Sequence, residues 1–155
     1  MAFRSPLLRS AVGLAAFLAA WAAGHAGENL PGPVAASLIR VVDGDTLEVK
    51  VRIWLGQELV TSVRIRGIDA PELHGRCRRE TILAAAATDR LADLTGETLT
   101  LTAVGEDKYF GRVVADVTNQ AGDDLGRLML ASGLARPYDG GQRGDWCGLV
   151  RLEQE

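Results

Sequence analysis

Lysine is almost missing from this 155-residue sequence: Lys50 and Lys108 are the only two, and arginine supplies the rest of the 17 basic residues. Twenty acidic residues oppose them, for a net charge of −3. Arg4 and Arg9 lie in the first 26 residues, which hold no acid, so the remainder sets fifteen basic against twenty acidic residues, a balance of −5. A general basic coat for polyanions is therefore excluded, and any grip on nucleic acid must come from a local arginine cluster. Long-range steering of such a partner is weak for the same reason. Histidine is scarce as well: beyond His25 there is only His74, alone among polar neighbours and read as a surface residue. No G-x-S-x-G occurs, so nucleophilic acyl transfer is poorly supplied. What the chain does have is 47% hydrophobic and 24% charged residues. That composition suits one domain with a buried core and argues against a wholly disordered chain.

The N-terminus reads as an export signal. Arg4 and Arg9 form a positive start, Ala11 to Ala23 is an uncharged apolar run, and Gly24-His25-Ala26 offers small residues for cleavage. The alternative is an uncleaved anchor, but the run falls short of the roughly 20 residues a spanning helix needs and is mostly alanine. Residues 1–26 are assigned as a signal peptide, and the mature chain is expected in the periplasm or fully secreted, with no stable membrane partner. Export makes a Cys77–Cys147 disulfide the default reading of the even cysteine pair. Two separate thiols are the alternative. Neither cysteine has a His-Cys neighbourhood that suggests a metal ligand or nucleophile.

Residues 27–36 contain the polar, proline-rich stretch E-N-L-P-G-P and read as a leader. Residues 37–138 carry the periodic pattern. Ser37–Val42 and Thr46–Trp54 read as strands joined at Asp43-Gly44, with Leu47, Val49, Val51 and Ile53 alternating against polar residues. A third strand runs from Leu59 to Ile68, with Val63 and Ile65 on one face and Arg64 and Arg66 on the other. The period then becomes helical over Arg78–Leu94, with Leu83, Ala87, Leu91 and Leu94 on one face and Gly96 as the stop. Strands over Thr98–Ala103 and Gly111–Val117 follow, then a short helix from Asp123 to Ser132 closed by Gly133. Residues 139–155 form a glycine-rich C-terminal tail without a period. Three strands, a helix, two strands and a helix predict a mainly β chain with α elements. The fold class is a five-stranded, closed or partly closed antiparallel OB-fold barrel with a helix after strand 3 and a short helix after strand 5.

Charge concentrates where strand patterns end: V-D-G-D-T at 42–46, R-I-R-G-I-D-A-P-E at 64–72 and D-K-Y-F-G-R at 107–112. Taken singly, each is an ordinary turn, helix cap or hairpin end. Their order, followed by D-L-G-R-L-M-L-A-S-G-L-A-R, resembles the staphylococcal nuclease family over about Ser37 to Tyr138. The resemblance implies a calcium-dependent phosphodiesterase, an endonuclease hydrolysing DNA and/or RNA to 3′-phosphate products. It implies Ca²⁺ ligands at Asp45, Asp69 and the backbone carbonyl of Ala70, with Asp43 close behind them. It implies catalytic roles for Arg64, Arg112 and Glu72: two guanidinium groups on the scissile phosphate and a carboxylate on the attacking water. Lys108, Tyr109 and Tyr138 would contact the nucleotide. Independently of the resemblance, two arginines with several carboxylates and no catalytic His or Cys suit metal-assisted phosphoryl chemistry.

The sequence also departs from the family pattern. Ala70 stands where the type protein has Thr, Phe110 is inserted before Gly111, and the loop after Glu72 reaches Cys77 within about five residues. The chain also ends soon after Tyr138, without a long C-terminal helix; a Cys77–Cys147 bridge would tie the tail to the barrel instead. The expected partner is a nucleic acid substrate acted on by a monomer. The competing reading is a non-catalytic OB-fold module of the cell envelope that binds nucleic acid or protein; another is an envelope domain whose charges simply pair among themselves.

Overall fold

β-Branched residues alternating with polar ones build five long strands, and the computed structural model shows how they close. It describes residues 29–109 and 111–148; the N-terminal apolar run and its cleavage motif, Phe110 and residues 149–155 lie outside these. In chain order the elements are β1 (Asn29–Leu30), β2 (Val34–Asp43), β3 (Thr46–Trp54), β4 (Gln57–Ile65), β5 (Ile68–Asp69), α1 (Arg78–Thr95), β6 (Thr98–Glu106), β7 (Arg112–Asn119), α2 (Leu125–Ala131) and β8 (Arg136–Pro137). Strands β2, β3 and β4 form an antiparallel meander, β6 pairs with β2 and β7, and β7 closes the ring onto β4. The result is a mainly β, five-stranded barrel of the OB type, with α1 after its third strand and α2 after its fifth.

Closure differs from the all-antiparallel expectation. β4 and β7 run parallel, with Ser62 opposite Arg112 and Ile65 opposite Ala115. Parity requires this: strict up-down alternation cannot be kept around a closed ring of five. Leu47, Val49, Val63, Ile65, Leu99, Leu101 and Val117 fill the interior, packed against Ala87 and Leu91 of α1 and Leu125 and Met129 of α2.

Several local expectations shift. Val34 to Ala36, expected in the leader, begin β2, and Asn29–Leu30 pairs with β6, because that edge of the barrel has backbone groups to satisfy. The hairpin turn is Gly44-Asp45, one residue later than expected. Ile53 continues the alternation but is exposed, since the strand outruns the barrel wall. The third strand stops at Ile65; Gly67, at φ 77°, kinks the chain so that Ile68–Asp69 pairs with β8 instead. In β6 the alternation ends after Leu101, where Ala103 at φ 48° marks a bulge between Thr102 and Gly105.

On α1 the buried face is Glu80, Ala84, Ala87, Leu91 and Thr95, rotated from the predicted stripe and leaving Leu83 and Leu94 half-buried. Small residues explain the rotation. Ala87 lies so close to the β2–β3 turn that a Cβ on Gly44 would sit 2.6 Å from the Ala87 Cβ and 2.8 Å from the Ala70 Cβ. Asp124 caps α2, accepting a hydrogen bond from the Arg127 amide at 2.8 Å.

Candidate active site

Register brings the three charged segments to one rim of the barrel. Thr46 pairs with Arg64 and Arg64 with Val114, so the β2–β3 turn, the end of β4 and the start of β7 are neighbours. Asp45 is almost fully buried at the turn and serves as the hub. Its Oδ1 accepts from Arg64 Nη1 and from the Thr46 hydroxyl, both at 2.9 Å, and its Oδ2 accepts from the Ala70 amide at 3.0 Å. Its own amide donates to Asp43 Oδ1 at 3.0 Å, so Asp43 braces the turn from behind. Burial, reinforced by the Asp45 charge, pushes the Asp43 carboxyl above the usual aspartate range.

Arg64 is buried as well. Its Nη2 donates to the Ile68 carbonyl at 3.0 Å and lies 3.7 Å from Asp69 Oδ1, so one guanidinium stands between two aspartates. The Gly67 kink is what swings Asp69 back toward Arg64. Burial raises the Asp69 carboxyl too; the Arg143 charge opposes that shift and the Asp45 charge adds to it. Asp69 Oδ1 is fully buried and accepts no hydrogen bond of good geometry, although Arg143 Nε stands 2.8 Å away as a counter-charge.

A groove of about 720 Å³ opens beside this cluster, lined among others by Arg64, Glu72, Lys108, Tyr109, Arg112 and Tyr138. Arg112 enters it from β7, held by Asp107 Oδ2 and stacked 4.8 Å from the centroid of Tyr109. Lys108 Nζ lies 5.3 Å from the centroid of the same ring, so two cations stand against Tyr109. Tyr138 faces Arg64 at 5.4 Å and donates its hydroxyl hydrogen to the Gly141 carbonyl at 2.9 Å. Glu72 is half-exposed on the loop after β5. His74 is exposed, as its sequence context suggested. The residues singled out in the sequence therefore gather at one place, except that Asp43 sits behind the turn rather than in the groove.

Arg143 is the residue that sequence reasoning missed. It reaches in from the C-terminal tail and touches Asp69, Glu72 and, at 3.9 Å, Asp45. Its segment is glycine-rich and has no hydrophobic period; the signal nearest to it was its position four residues before a bridging cysteine. The Cys77–Cys147 disulfide is formed, with Cα atoms 6.1 Å apart, and Cys77 is also the N-cap of α1. Trp146 is buried beneath the Arg136 guanidinium, 3.7 Å from its ring centroid. Its indole N–H lies near enough to Asp69 to favour the anion without closing a good hydrogen bond.

The family model described as "Staphylococcal nuclease homologue" matches residues 62–148, more than half of the chain, from the end of β4 into the tail. No curated protein matches.

Proposed function

Because the chain belongs to the family of staphylococcal nuclease homologues, we propose that it is a calcium-dependent phosphodiesterase, an endonuclease acting on DNA and/or RNA. The observation that carries this reading is the buried carboxylate pair at the rim of an arginine-lined groove. Asp45 and Asp69 are 3% and 2% exposed, and Asp69 Oδ1 lacks a hydrogen bond. Burying two such anions is costly unless cations compensate them. An all-oxygen donor set fits a hard cation such as Ca²⁺. Asp45, Asp69 and the Ala70 carbonyl would hold it. When bound, the ion supplies positive charge opposite a phosphate oxygen.

The chain's own residues account for the rest. Arg64 and Arg112 approach the groove from parallel strands and would take the scissile phosphate in two guanidinium forks. Their charge is best used when the phosphate oxygens gain negative charge at the transition state. Glu72, on the loop past Asp69, would orient a water and take its proton as oxygen attacks phosphorus. The bond to the 5′-oxygen then breaks and that oxygen takes a proton from solvent, leaving a 3′-phosphate and a 5′-hydroxyl. Tyr109 and Tyr138 would give the flanking nucleotides aromatic faces, with Lys108 adding charge. Export to an oxidising compartment belongs to the same proposal and is supported by the Cys77–Cys147 bridge, and action as a monomer is proposed with it.

Purified protein from Gly27 onward is expected to cut single-stranded DNA with Ca²⁺ and to stop when a chelator is added. Glu72→Ala is expected to lose at least 100-fold of that activity while keeping its fold, on the scale of general-base removal, about 10²–10⁴. A folded protein that fails to cut under any metal would favour the binding-module reading instead.

A further inference from the structure

Resting on the calcium reading above, the geometry points to Arg143 as a tethered counter-cation of the carboxylate cluster, one that a divalent ion must displace. Three carboxylates converge on its guanidinium: Nε is 2.8 Å from Asp69 Oδ1, Nη2 is 3.9 Å from Asp45 Oδ2, and Nη1 contacts Glu72 Oε1. A cation on Asp69 Oδ1 would sit about 2.3–2.6 Å from that oxygen. Arg143 Nε already fills this approach, so the two cannot share it.

The other arginine of the cluster, Arg64, is buried and donates to Asp45 and to the Ile68 carbonyl, so it is fixed. The Arg143 side chain is 37% exposed and its contact with Asp69 lacks hydrogen-bond geometry, so it can leave. It is delivered by a tail pinned on both sides. Upstream, β8 pairs with β5 and the Tyr138 amide donates to the Gly67 carbonyl. Downstream, Trp146 is buried and Cys147 is bonded to Cys77. Arg143 and Glu72 line both the large groove and a second cavity of about 260 Å³ beside Asp69. A displaced guanidinium therefore stays at the groove mouth and releases Glu72 from its ion pair as it goes. Without metal the arginine neutralises acids that would otherwise repel one another; with metal it is a competitor.

Competition is reciprocal, so removing the arginine must strengthen metal binding. Titration calorimetry of CaCl₂ into the oxidised protein is expected to show about tenfold tighter binding for Arg143→Gln than for the wild type. The variant is expected to melt lower in chelator yet gain more from saturating Ca²⁺ than the wild type does. Arg143→Lys, which keeps the charge but loses the planar fork, is expected to fall between them and serves if the Gln variant does not fold. An equal or weaker Ca²⁺ affinity in the variants overturns the proposal while leaving the calcium reading intact. An equal loss of melting temperature with and without Ca²⁺ also overturns it, because that marks a purely structural contact. Absence of Ca²⁺ binding in wild type and variants alike overturns both.

Discussion

Arg64 and Arg66 lie two positions apart and share one predicted face, yet the fold gives them opposite surroundings. Arg64 is buried between Asp45 and Asp69. Arg66 is exposed, 3.3 Å from Asp116, and donates to the Val114 and Ala103 carbonyls over the β6 bulge. Removing one partner of a buried pair leaves a charge without compensation, whereas an exposed pair is screened. In chelator, Arg64→Ala is expected to cost about 3–5 kcal/mol of unfolding free energy. Arg66→Ala is expected to cost about 1 kcal/mol or less. Urea denaturation of the two variants measures the contrast, and equal losses would contradict the buried assignment of Arg64. Both arginines were visible in the sequence as one polar face; their difference depends on Asp45, nineteen residues away.

At the scale of elements, the approach of α1 to the β2–β3 turn governs the site. Gly44 has no side chain, and Ala87 and Ala70 occupy the space where its Cβ would go. The Asp-Gly-Asp motif is thus a turn and a site component at once: the glycine lets the helix pack, and the packed turn buries Asp45. Overpacking a well-filled interface forces backbone shifts. Gly44→Ala is expected to destabilise the protein by about 1–3 kcal/mol. A urea melt reads the loss, and an unchanged midpoint would mean that α1 sits farther from the turn. The predicted helix stripe held Ala87 and Leu91, which are buried, but not Ala84 and Thr95. Hydrophobicity ranked Leu83 and Leu94 above Ala84 and Thr95, while close approach favours the smaller side chains. The Thr95 hydroxyl avoids a burial penalty by donating to the Leu91 carbonyl.

For the molecule as a whole, the tail is the unexpected element at the candidate site. The 70-residue span between Cys77 and Cys147 encloses α1, two barrel strands and α2, so their bridge constrains much of the unfolded chain. Replacing both cysteines by serine is expected to cost on the order of 4 kcal/mol by the chain-entropy model. Thermal unfolding of the double variant against the oxidised wild type measures this. A loss below about 1 kcal/mol would show that β5–β8 pairing and the Arg136–Trp146 stack hold the tail without help.

Alternation within Thr46–Trp54, the helical period after Arg78 and the placing of Asp, Arg and Glu at strand ends follow from local chemistry, and they were legible in the chain alone. So was the pairing of the two cysteines. Non-local contacts decided the remainder. Parity in a five-membered ring imposed the parallel β4–β7 closure that sets Arg112 opposite Ser62, two residues from Arg64. The Gly67 kink turned Asp69 from the end of a strand into a partner of Arg64 and of the tail. Arg143 reaches the carboxylates because β5–β8 pairing on one side and the disulfide with buried Trp146 on the other hold an aperiodic segment across the rim. Periodicity reports which face of an element is apolar; it carries no information about which distant charge will meet which.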